Sequence, residues 1–336
     1  MQNPIFTANA DVTEFECDIL ILKYAQSLYG ADRAVTRTLG LDETELRIPP
    51  GDHRLVPTKG AMPFSHVLFI GTPDLNNFGY GEIRKFANTA LRVISQSDVV
   101  HARVAMTMHG VGYGLDEREA FTAQVAGILE YFSSGPSGVP PQRVTIVERE
   151  ANRFNRVSAI LNQIPGVADQ ERTSGRAEPA SREIPDAGVT SDSKRLVFVA
   201  MPYNDQMVDV FEFGIKEPVN NVGCLCERCD REAFTGDVLD RIRRRITEAD
   251  VVIADMTGSN PNVYLEVGYA WGREVQTLLI AREGENLQFD VKTHRCLFYK
   301  NINHLRKQLT DFMERLMSTG QHRASHVRKP AEGGRR

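Results

Sequence analysis

Short apolar runs alternate with amphipathic segments through the first half of the chain. CDILILK, HVLFIGT, VHARVAMTMHG and RVTIVERE have the apolar, β-branched composition that is typical of buried strands. GEIRKFANTALRVISQS has the period of a helix, and a second helix is predicted after Gly114, where Asp116 and Glu119 form a capping-box pattern. This alternation predicts a mixed α/β domain.

The second half repeats the alternation. RLVFVAMPYND predicts a buried strand, and an irregular stretch is expected after it. FTGDVLDRIRRRITEAD predicts a helix with arginines opposite an apolar face formed by Val238, Leu239, Ile242 and Ile246. DVVIAD, VQTLLIA and FDVKTHRCLFY predict three more strands, and INHLRKQLTDFMERLM predicts a closing helix. We therefore expect a flavodoxin-like α/β domain with a parallel sheet.

A Pro-, Gly- and Ser-rich stretch separates the two halves. Residues 165–193 lose the apolar periodicity and predict a flexible linker. The sequence thus predicts an N-terminal domain over 1–164 and a C-terminal domain over 194–318. Residues 319–336 are basic and poor in apolar residues, which predicts a disordered tail.

Composition limits the possible functions. The chain has 336 residues and a net charge of −4, which allows two domains with their own cores but gives no basic footprint for nucleic acid. It has no apolar run of about 18 residues and no signal-peptide pattern, so we expect no membrane partner and a cytoplasmic location.

The five cysteines favour a reducing compartment over a disulfide framework. Cys224, Cys226 and Cys229 could supply three thiolates to zinc, although the fourth ligand would have to come from elsewhere. The alternative is three buried thiols without a metal. No metal is assigned on this basis.

One carboxylate stands out in the stretch IADMTGSNPNVYLEVGYAWG. A strand ends at Asp255, Asn260 can cap a helix predicted over 261–273, and Pro261 suits its first position. Helical side chains lean towards the N-terminus, so Glu266 is predicted to point back at the carboxyl edge of the sheet, where open α/β sheets bind ligands. The alternative is a solvated or ion-paired glutamate.

The residues around this edge suit a nucleotide. Met201, Pro202 and Tyr203 follow the first strand of the domain, and Tyr203 could stack on a base or belong to the core. Helix amides could hold a phosphate. Ribose hydroxyls could meet Asn262 or Asp255, which could instead cap the turn. A carboxylate such as Glu266 stabilises or traps the oxocarbenium-like sugar that forms when an N-glycosidic bond breaks.

Residues 195–316 resemble the nucleoside 2-deoxyribosyltransferase-like branch related to bacterial TIR-like domains. The resemblance is carried by FVAMPY, by CERCDREAFTGD and above all by NPNVYLEVGYA. It implies that Glu266 is the catalytic carboxylate and that Arg228 and Asp230 contact substrate or stabilise their loop. True transferases carry Asp where this chain has Asn260, which favours hydrolysis of NAD or another nucleotide over transfer to a free base.

The first domain resembles a macro domain, through VTEFECDILIL, LVPTKGAMPFSHVLFIGT and the glycines of HGVGYGLD. The resemblance implies ADP-ribose binding, with the phosphates on Gly110, Val111, Gly112, Tyr113 and Gly114, and an adenine near Asp11. Because the usual asparagine-rich catalytic stretch appears as KYAQSLYGADRAV, binding is favoured over hydrolysis. The alternative for the glycines is a tight turn that needs positive φ.

Together these features predict an N-glycosidase effector that cleaves NAD or a related nucleotide and requires no cofactor. By resemblance, such pairings suggest antiphage defence, activation by an ADP-ribose-like or cyclic nucleotide, and a homo-oligomer. Two alternatives stay open: a deoxyribosyltransferase or nucleotide hydrolase of salvage, and a non-enzymatic nucleotide sensor or scaffold. Base exchange would identify the first, and binding without turnover the second.

Overall fold

The chain forms two compact α/β units. The computed structural model describes residues 4–43, 46–135, 137–164, 186–229, 238–287 and 296–319. Unit 1 comprises residues 1–194 and 227–245, and unit 2 comprises residues 195–226 and 246–336. Strands and helices alternate in both units, in agreement with the pattern of the sequence.

Unit 1 is built on a six-stranded sheet. Its strands are β1 (Ile5–Asn9), β2 (Ile19–Tyr24), β3 (His53–Pro57), β4 (His66–Gly71), β5 (Arg103–Thr107) and β6 (Arg143–Glu148). Their order is β1-β6-β5-β2-β4-β3, and all neighbours are parallel except β3 and β4. The carboxyl ends of β1, β6, β5 and β2 therefore lie at one edge of the sheet.

Four helices accompany this sheet: α1 (Gly30–Thr38), α2 (Tyr80–Ser95), α3 (Glu117–Ser133) and α4 (Ala151–Asn162). The predicted strands β2, β4, β5 and β6 and the predicted helices α2 and α3 are confirmed. The sequence did not indicate β1, β3, α1 or α4. Both faces of β2 are buried, as its continuous apolar run predicted.

The predicted capping box is only half formed. The Asp116 carboxylate accepts a hydrogen bond from the Glu119 amide at 3.0 Å, as predicted. The Glu119 carboxylate does not return to the cap, because it accepts from Ser191 Oγ at 2.6 Å and from Lys194 Nζ at 2.7 Å. The Asp116 amide donates instead to the Tyr80 hydroxyl at 2.9 Å.

The end of the predicted linker is packed. Residues 165–185 lie outside the described part of the chain, but residues 186–193 form turns within unit 1. Ala187 is 2 % exposed, and its carbonyl accepts a hydrogen bond from Arg84 Nη1 at 2.9 Å. Residues 186–193 are therefore not a flexible linker, because they are hydrogen-bonded to Arg84 of α2 and Glu119 of α3.

Unit 2 has a five-stranded sheet of β7 (Leu196–Ala200), β8 (Leu225–Glu227), β9 (Val251–Asp255), β10 (Thr277–Arg282) and β11 (Cys296–Tyr299). The order is β11-β10-β9-β7-β8, and the pairs β7–β9, β9–β10 and β10–β11 are parallel. Counted from β7, this is the order 2-1-3-4-5 of flavodoxin-like sheets. The predicted fold class is confirmed. The chain adds strands on one side of β7 with β8 and on the other side with β9, so the strand order reverses between β7 and β9.

The stretch after β7 is helical, so the prediction of an irregular stretch was wrong there. α5 (Asp205–Asp209), a π-helical segment (Val210–Lys216) and α6 (Glu217–Asn221) follow one another without a break. Val210, Ile215 and Val219 are buried and join the unit 2 core, against which the closing helix α9 (Ile302–Thr319) also packs. Tertiary packing therefore favours helix in a sequence with weak helical periodicity.

The helix α7 (Val238–Glu248) departs from its predicted pattern at Leu239 and at Arg241. Ile242 and Ile246 are buried as predicted, whereas Leu239 is 43 % exposed. Arg241, predicted on the solvated face, is 4 % exposed. Its guanidinium lies 4.9 Å from the centre of the Tyr113 ring and donates to the Leu75 carbonyl, which explains the burial. The side chain of Val238 lies outside the described part.

The remaining predictions for unit 2 agree with the structure where it is described. The helix α8 (Pro261–Gly272) and the strands β9 and β10 are confirmed, and α9 is the predicted closing helix. Residues 288–295, before β11, and most of the predicted tail, 320–336, lie outside the described part. Among the described helices, none has the length and apolarity needed to cross a bilayer.

A glycine contact between α2 and α3 gives a test of this packing. A Cβ atom at Gly127 would overlap the Arg84 carbonyl oxygen, so Gly127→Ala should lower the free energy of unfolding by about 1–3 kcal/mol. A Cβ at Gly112 meets no atom within 4 Å, so Gly112→Ala should change it by less than about 0.5 kcal/mol. Urea unfolding measures both variants, and equal stability would contradict the packing.

Candidate functional site

A glycine loop follows β5 in unit 1. Gly110 (φ 96°) and Gly114 (φ 93°) flank a single 3₁₀ turn over Val111–Tyr113. Both angles lie in the left-handed region that glycine adopts without strain. The amides of Tyr113 and Gly114 donate to carbonyls of the loop, whereas the amides of Val111 and Gly112 have no acceptor among the described residues. Two adjacent amides of this kind can bind an anion.

The loop borders a cleft of about 550 Å³. The cleft lies where β1, β2, β5 and β6 end, and it is lined by residues 10–13, 29–32, 107–113 and 147–149, with Lys23, Ala34, Leu75 and Arg153. This volume falls within the range of small-molecule pockets. Loop residues Gly110 to Tyr113 and Asp11 thus line one cleft, whereas Gly114 does not.

An ion pair that the sequence analysis missed forms part of the cleft wall. Lys23 Nζ lies 2.9 Å from Asp32 Oδ2, and the residues are 9 % and 1 % exposed. Burial raises the pKa of Asp32, and the adjacent ammonium partly offsets this shift. The sequence held one signal for this pair: Lys23 is the one charged residue in β2, whose sequence is ILILKY.

Residues 227–245 belong to unit 1 and support the glycine loop. A Cβ atom at Gly114 would lie 2.7 Å from the Arg228 carbonyl oxygen, so the close approach as well as the positive φ requires glycine. Arg241 stacks on Tyr113 and donates to the Leu75 carbonyl at 2.9 Å. Two residues of the cleft lining, Tyr113 and Leu75, are therefore held by one guanidinium.

A buried carboxylate anchors the same region. Glu227 is fully buried and accepts from Arg245 Nε at 2.6 Å and from the Tyr80 hydroxyl at 2.6 Å. Tyr80 in turn accepts from the amide of Asp116, the cap of α3. Burial, and then the charge of Glu227, raise the pKa of Tyr80 well above its ordinary value, so it remains a donor. This network fixes the start of α3 directly after the loop.

In unit 2 the predicted residues follow β7 and β9, on either side of the point where the strand order reverses. Met201 and Pro202 are buried, whereas Tyr203 is 54 % exposed and therefore not a core residue. Parallel α/β sheets bind ligands at this crevice. An exposed aromatic ring there is suitable for stacking on a base.

Asp255 is fully buried at the end of β9. Its Oδ1 accepts from the Thr257 amide at 3.0 Å, and its Oδ2 accepts from the Tyr299 hydroxyl at 2.9 Å. Burial raises the pKa of Asp255 and raises that of Tyr299 to about 12. Thr257 Oγ1 also accepts from the Arg282 amide. This arrangement agrees with the alternative in which Asp255 caps the turn.

The turn leads into α8, which carries Glu266. Asn260 caps the helix, accepting from the Asn262 amide at 2.9 Å, and Pro261 occupies the first position. Asn262 is exposed. The turn contains Ser259 at φ 49°, a left-handed conformation that is uncommon for a residue other than glycine and occurs often at functional sites.

Glu266 is half-buried beside the apolar stripe of α8. Val263 and Ala270, three residues before it and four after it, are buried, and α8 packs on β7, β9 and β10. Glu266 lies about 9 Å along the helix from its cap. Because helical side chains lean towards the N-terminus, its carboxylate is expected to point towards the sheet edge.

The remaining candidates lie elsewhere. Arg228 is half-buried and belongs to unit 1, and Asp230 lies outside the described residues. Cys224 and Cys226 are buried and Cys229 is half-buried. Burial raises the pKa of Cys224 and of Cys229 to about 11. In the described part of the chain, no group of three metal-binding side chains is found.

No protein-family model and no curated protein matches the chain. Among solved structures, a variant Oceanobacillus iheyensis macrodomain with ADPR is 14% identical, covering 47% of this chain and 91% of that one, with a TM-score of 0.38. A Trypanosoma brucei macrodomain in complex with ADP is 14% identical, covering 46% and 68%, with a TM-score of 0.38. A Clostridium botulinum CMP N-glycosidase is 20% identical, covering 35% and 99%, with a TM-score of 0.30. The function is inferred from geometry, because scores this low carry no functional argument.

The raised pKa of Asp255 predicts a pH dependence of stability. The native state holds this proton more tightly than the unfolded chain does, so ionisation costs native stability. Relative to Asp255→Asn, the wild type should therefore lose free energy of unfolding as the pH rises from 3.8 through the native pKa, and the difference should then level off. Urea titrations of both proteins at each pH measure this difference in the free energy of unfolding. A gain of the wild type with rising pH would contradict the prediction.

Proposed function

We propose that the protein is a nucleotide N-glycosidase whose catalytic carboxylate is Glu266 in unit 2, and that the cleft of unit 1 binds a nucleotide of the ADP-ribose class. The observation that carries the catalytic half is the position of Glu266. It is half-buried on the helix that follows β9, at the reversal point of a flavodoxin-like sheet, and the lean of helical side chains towards the N-terminus would direct it at the crevice.

The proposed chemistry follows from this position. When the bond between a ribose and its base breaks, the sugar becomes cationic, and a carboxylate held beside its anomeric carbon stabilises the cation or traps it covalently. Tyr203, which is exposed next to β7, would stack on the base. Asp255 would act by fixing the turn that orients α8.

The binding half rests on the cleft of unit 1. The amides of Val111 and Gly112, which have no acceptor among the described residues, border a cleft large enough for a nucleotide. NAD or a related nucleotide is the proposed substrate, and an ADP-ribose-like or cyclic nucleotide is the proposed activator. The role in antiphage defence and the homo-oligomer form part of this proposal on the family resemblance alone.

The role of Glu266 is tested with a charge-neutral variant. Glu266→Gln should reduce nicotinamide release from NAD by about 10²-fold or more, because the amide cannot stabilise the cationic sugar, while NAD binding persists. Glu314→Gln, on the exposed side of α9, is the matched control and should retain full turnover. Chromatography of the products, with and without ADP-ribose, measures the rate.

Three outcomes separate the possibilities. Unchanged turnover in Glu266→Gln would remove this residue from catalysis. Base exchange between a deoxynucleoside and a free base would identify a transferase instead. Nucleotide binding without any cleavage, with or without ADP-ribose, would favour the non-enzymatic sensor.

The binding half is tested at Gly112. Gly112→Ile should weaken ADP-ribose binding by at least about tenfold, or about 1.4 kcal/mol, because its branched side chain crowds the anion-binding amides. The backbone tolerates a side chain at this position, since a Cβ meets no atom within 4 Å and φ is not positive. Gly112→Ala is the matched control. Isothermal titration calorimetry measures both, and equal affinity of the two variants would contradict the site.

A further inference from the structure

The Lys23–Asp32 pair is placed to react with a ligand in the cleft. Lys23 lies near the carboxyl end of β2, and Asp32 lies in the first turn of α1. Both residues line the cleft, and their charged atoms are 2.9 Å apart. The pair therefore presents an amine and a carboxylate base to the same space.

The lysine is only partly satisfied by its partner. An ammonium group has three N–H donors, and within the described part of the chain the hydrogen bond to Asp32 is the one that Lys23 makes. A pair that only anchored α1 to β2 would contribute little net stability, because burial of both charges is costly. Because Lys23 lines the cleft, a ligand bound there could accept from its remaining donors.

A buried histidine, His109, lines the same cleft as the amine. Its Nε2 has no hydrogen-bond partner among the described residues, and its ring packs edge-on against Phe86 with the centroids 4.5 Å apart. Burial, and then the charge of Lys23, lower the pKa of His109 well below its ordinary value. His109 directly precedes Gly110, and Lys23, His109 and Gly110 all line the cleft, so the amine and the start of the glycine loop border the same space.

We propose that Lys23 forms an imine with the open-chain aldehyde of a reducing sugar phosphate whose phosphoryl groups lie on the glycine loop. The inference rests on the proposed binding function of this cleft. A lysine beside a base in a partly desolvated pocket is the usual arrangement for Schiff-base chemistry. ADP-ribose has the required chemistry, because its terminal ribose opens to an aldehyde.

The step is balanced with the groups present. Asp32 accepts a proton from the Lys23 ammonium, and the free amine attacks the carbonyl carbon, forming an N–C bond. The π electrons of the C=O bond move to oxygen, and one proton of the attacking nitrogen passes to that oxygen, giving a neutral carbinolamine. The carbinolamine then loses this oxygen as water, with Asp32 returning its proton to the leaving hydroxyl. The nitrogen loses its remaining proton to solvent, giving the imine and one water without an oxidant or reductant.

This chemistry would distinguish the product of NAD cleavage from its substrate. In NAD the ribose anomeric carbon is bonded to nicotinamide and cannot open, whereas released ADP-ribose has a free anomeric hydroxyl. ADP lacks the terminal ribose altogether. The cleft would therefore capture ADP-ribose covalently and bind NAD and ADP only reversibly.

The experiment traps the imine in the full chain. The protein is incubated with ADP-ribose and sodium cyanoborohydride, then analysed by intact mass and peptide mapping. One adduct is expected, heavier than the protein by the ligand less one oxygen atom, on the peptide containing Lys23. It should form at least about tenfold faster than on the exposed Lys59 and Lys85, because binding raises the effective concentration of the aldehyde. ADP should give none, and NAD should give none with the Glu266→Gln chain, in which the proposed release of ADP-ribose is suppressed.

Two variants separate reaction from binding. Lys23→Arg keeps a cation beside Asp32 but should abolish the adduct, with calorimetric ADP-ribose binding retained. Asp32→Asn keeps the amine and should slow its labelling, because the base is lost. ADP-ribose binding by the wild type without an adduct at Lys23, or labelling spread evenly over the exposed lysines, would overturn the imine and leave the binding function intact. Absence of ADP-ribose binding would overturn both.

Discussion

The geometry of parallel strands is the constraint on which both candidate sites depend. Parallel neighbours end at the same edge, so the residues that follow them are brought together although they are distant in sequence. In unit 1 this gathers the segments after β1, β2, β5 and β6 around one cleft. In unit 2 it places the segments after β7 and β9 on either side of the strand-order reversal.

Buried carboxyl groups hold the loops at these edges, and each is hydrogen-bonded. Glu227 is neutralised by Arg245 and bonded to Tyr80, which fixes the start of α3. Asp255 accepts two hydrogen bonds that fix the turn before α8. Because an unpaired buried charge costs several kcal/mol, removing either set of partners would disturb the adjacent loop. The glycine loop and the α8 turn are therefore presented on rigid supports.

The sequence predicted what local patterns determine. Apolar runs identified β2, β7 and β9, and the Asn260–Pro261 start identified α8, because strand burial and helix capping are read from neighbouring residues. It did not predict the burial of Arg241, which follows from Tyr113 and Leu75, far away in the chain. The pairing of Lys23 with Asp32 was missed for a similar reason, since it depends on how α1 returns to the sheet edge.

The most direct measurement is a crystal structure of the chain with ADP-ribose. Our account predicts that the ligand occupies the cleft of unit 1, with phosphoryl oxygens about 2.7–3.2 Å from the amide nitrogens of Val111 and Gly112. These amides would then have the acceptors that the described part of the protein does not supply. A ligand bound elsewhere on the protein, with both amides still unoccupied, would contradict the account.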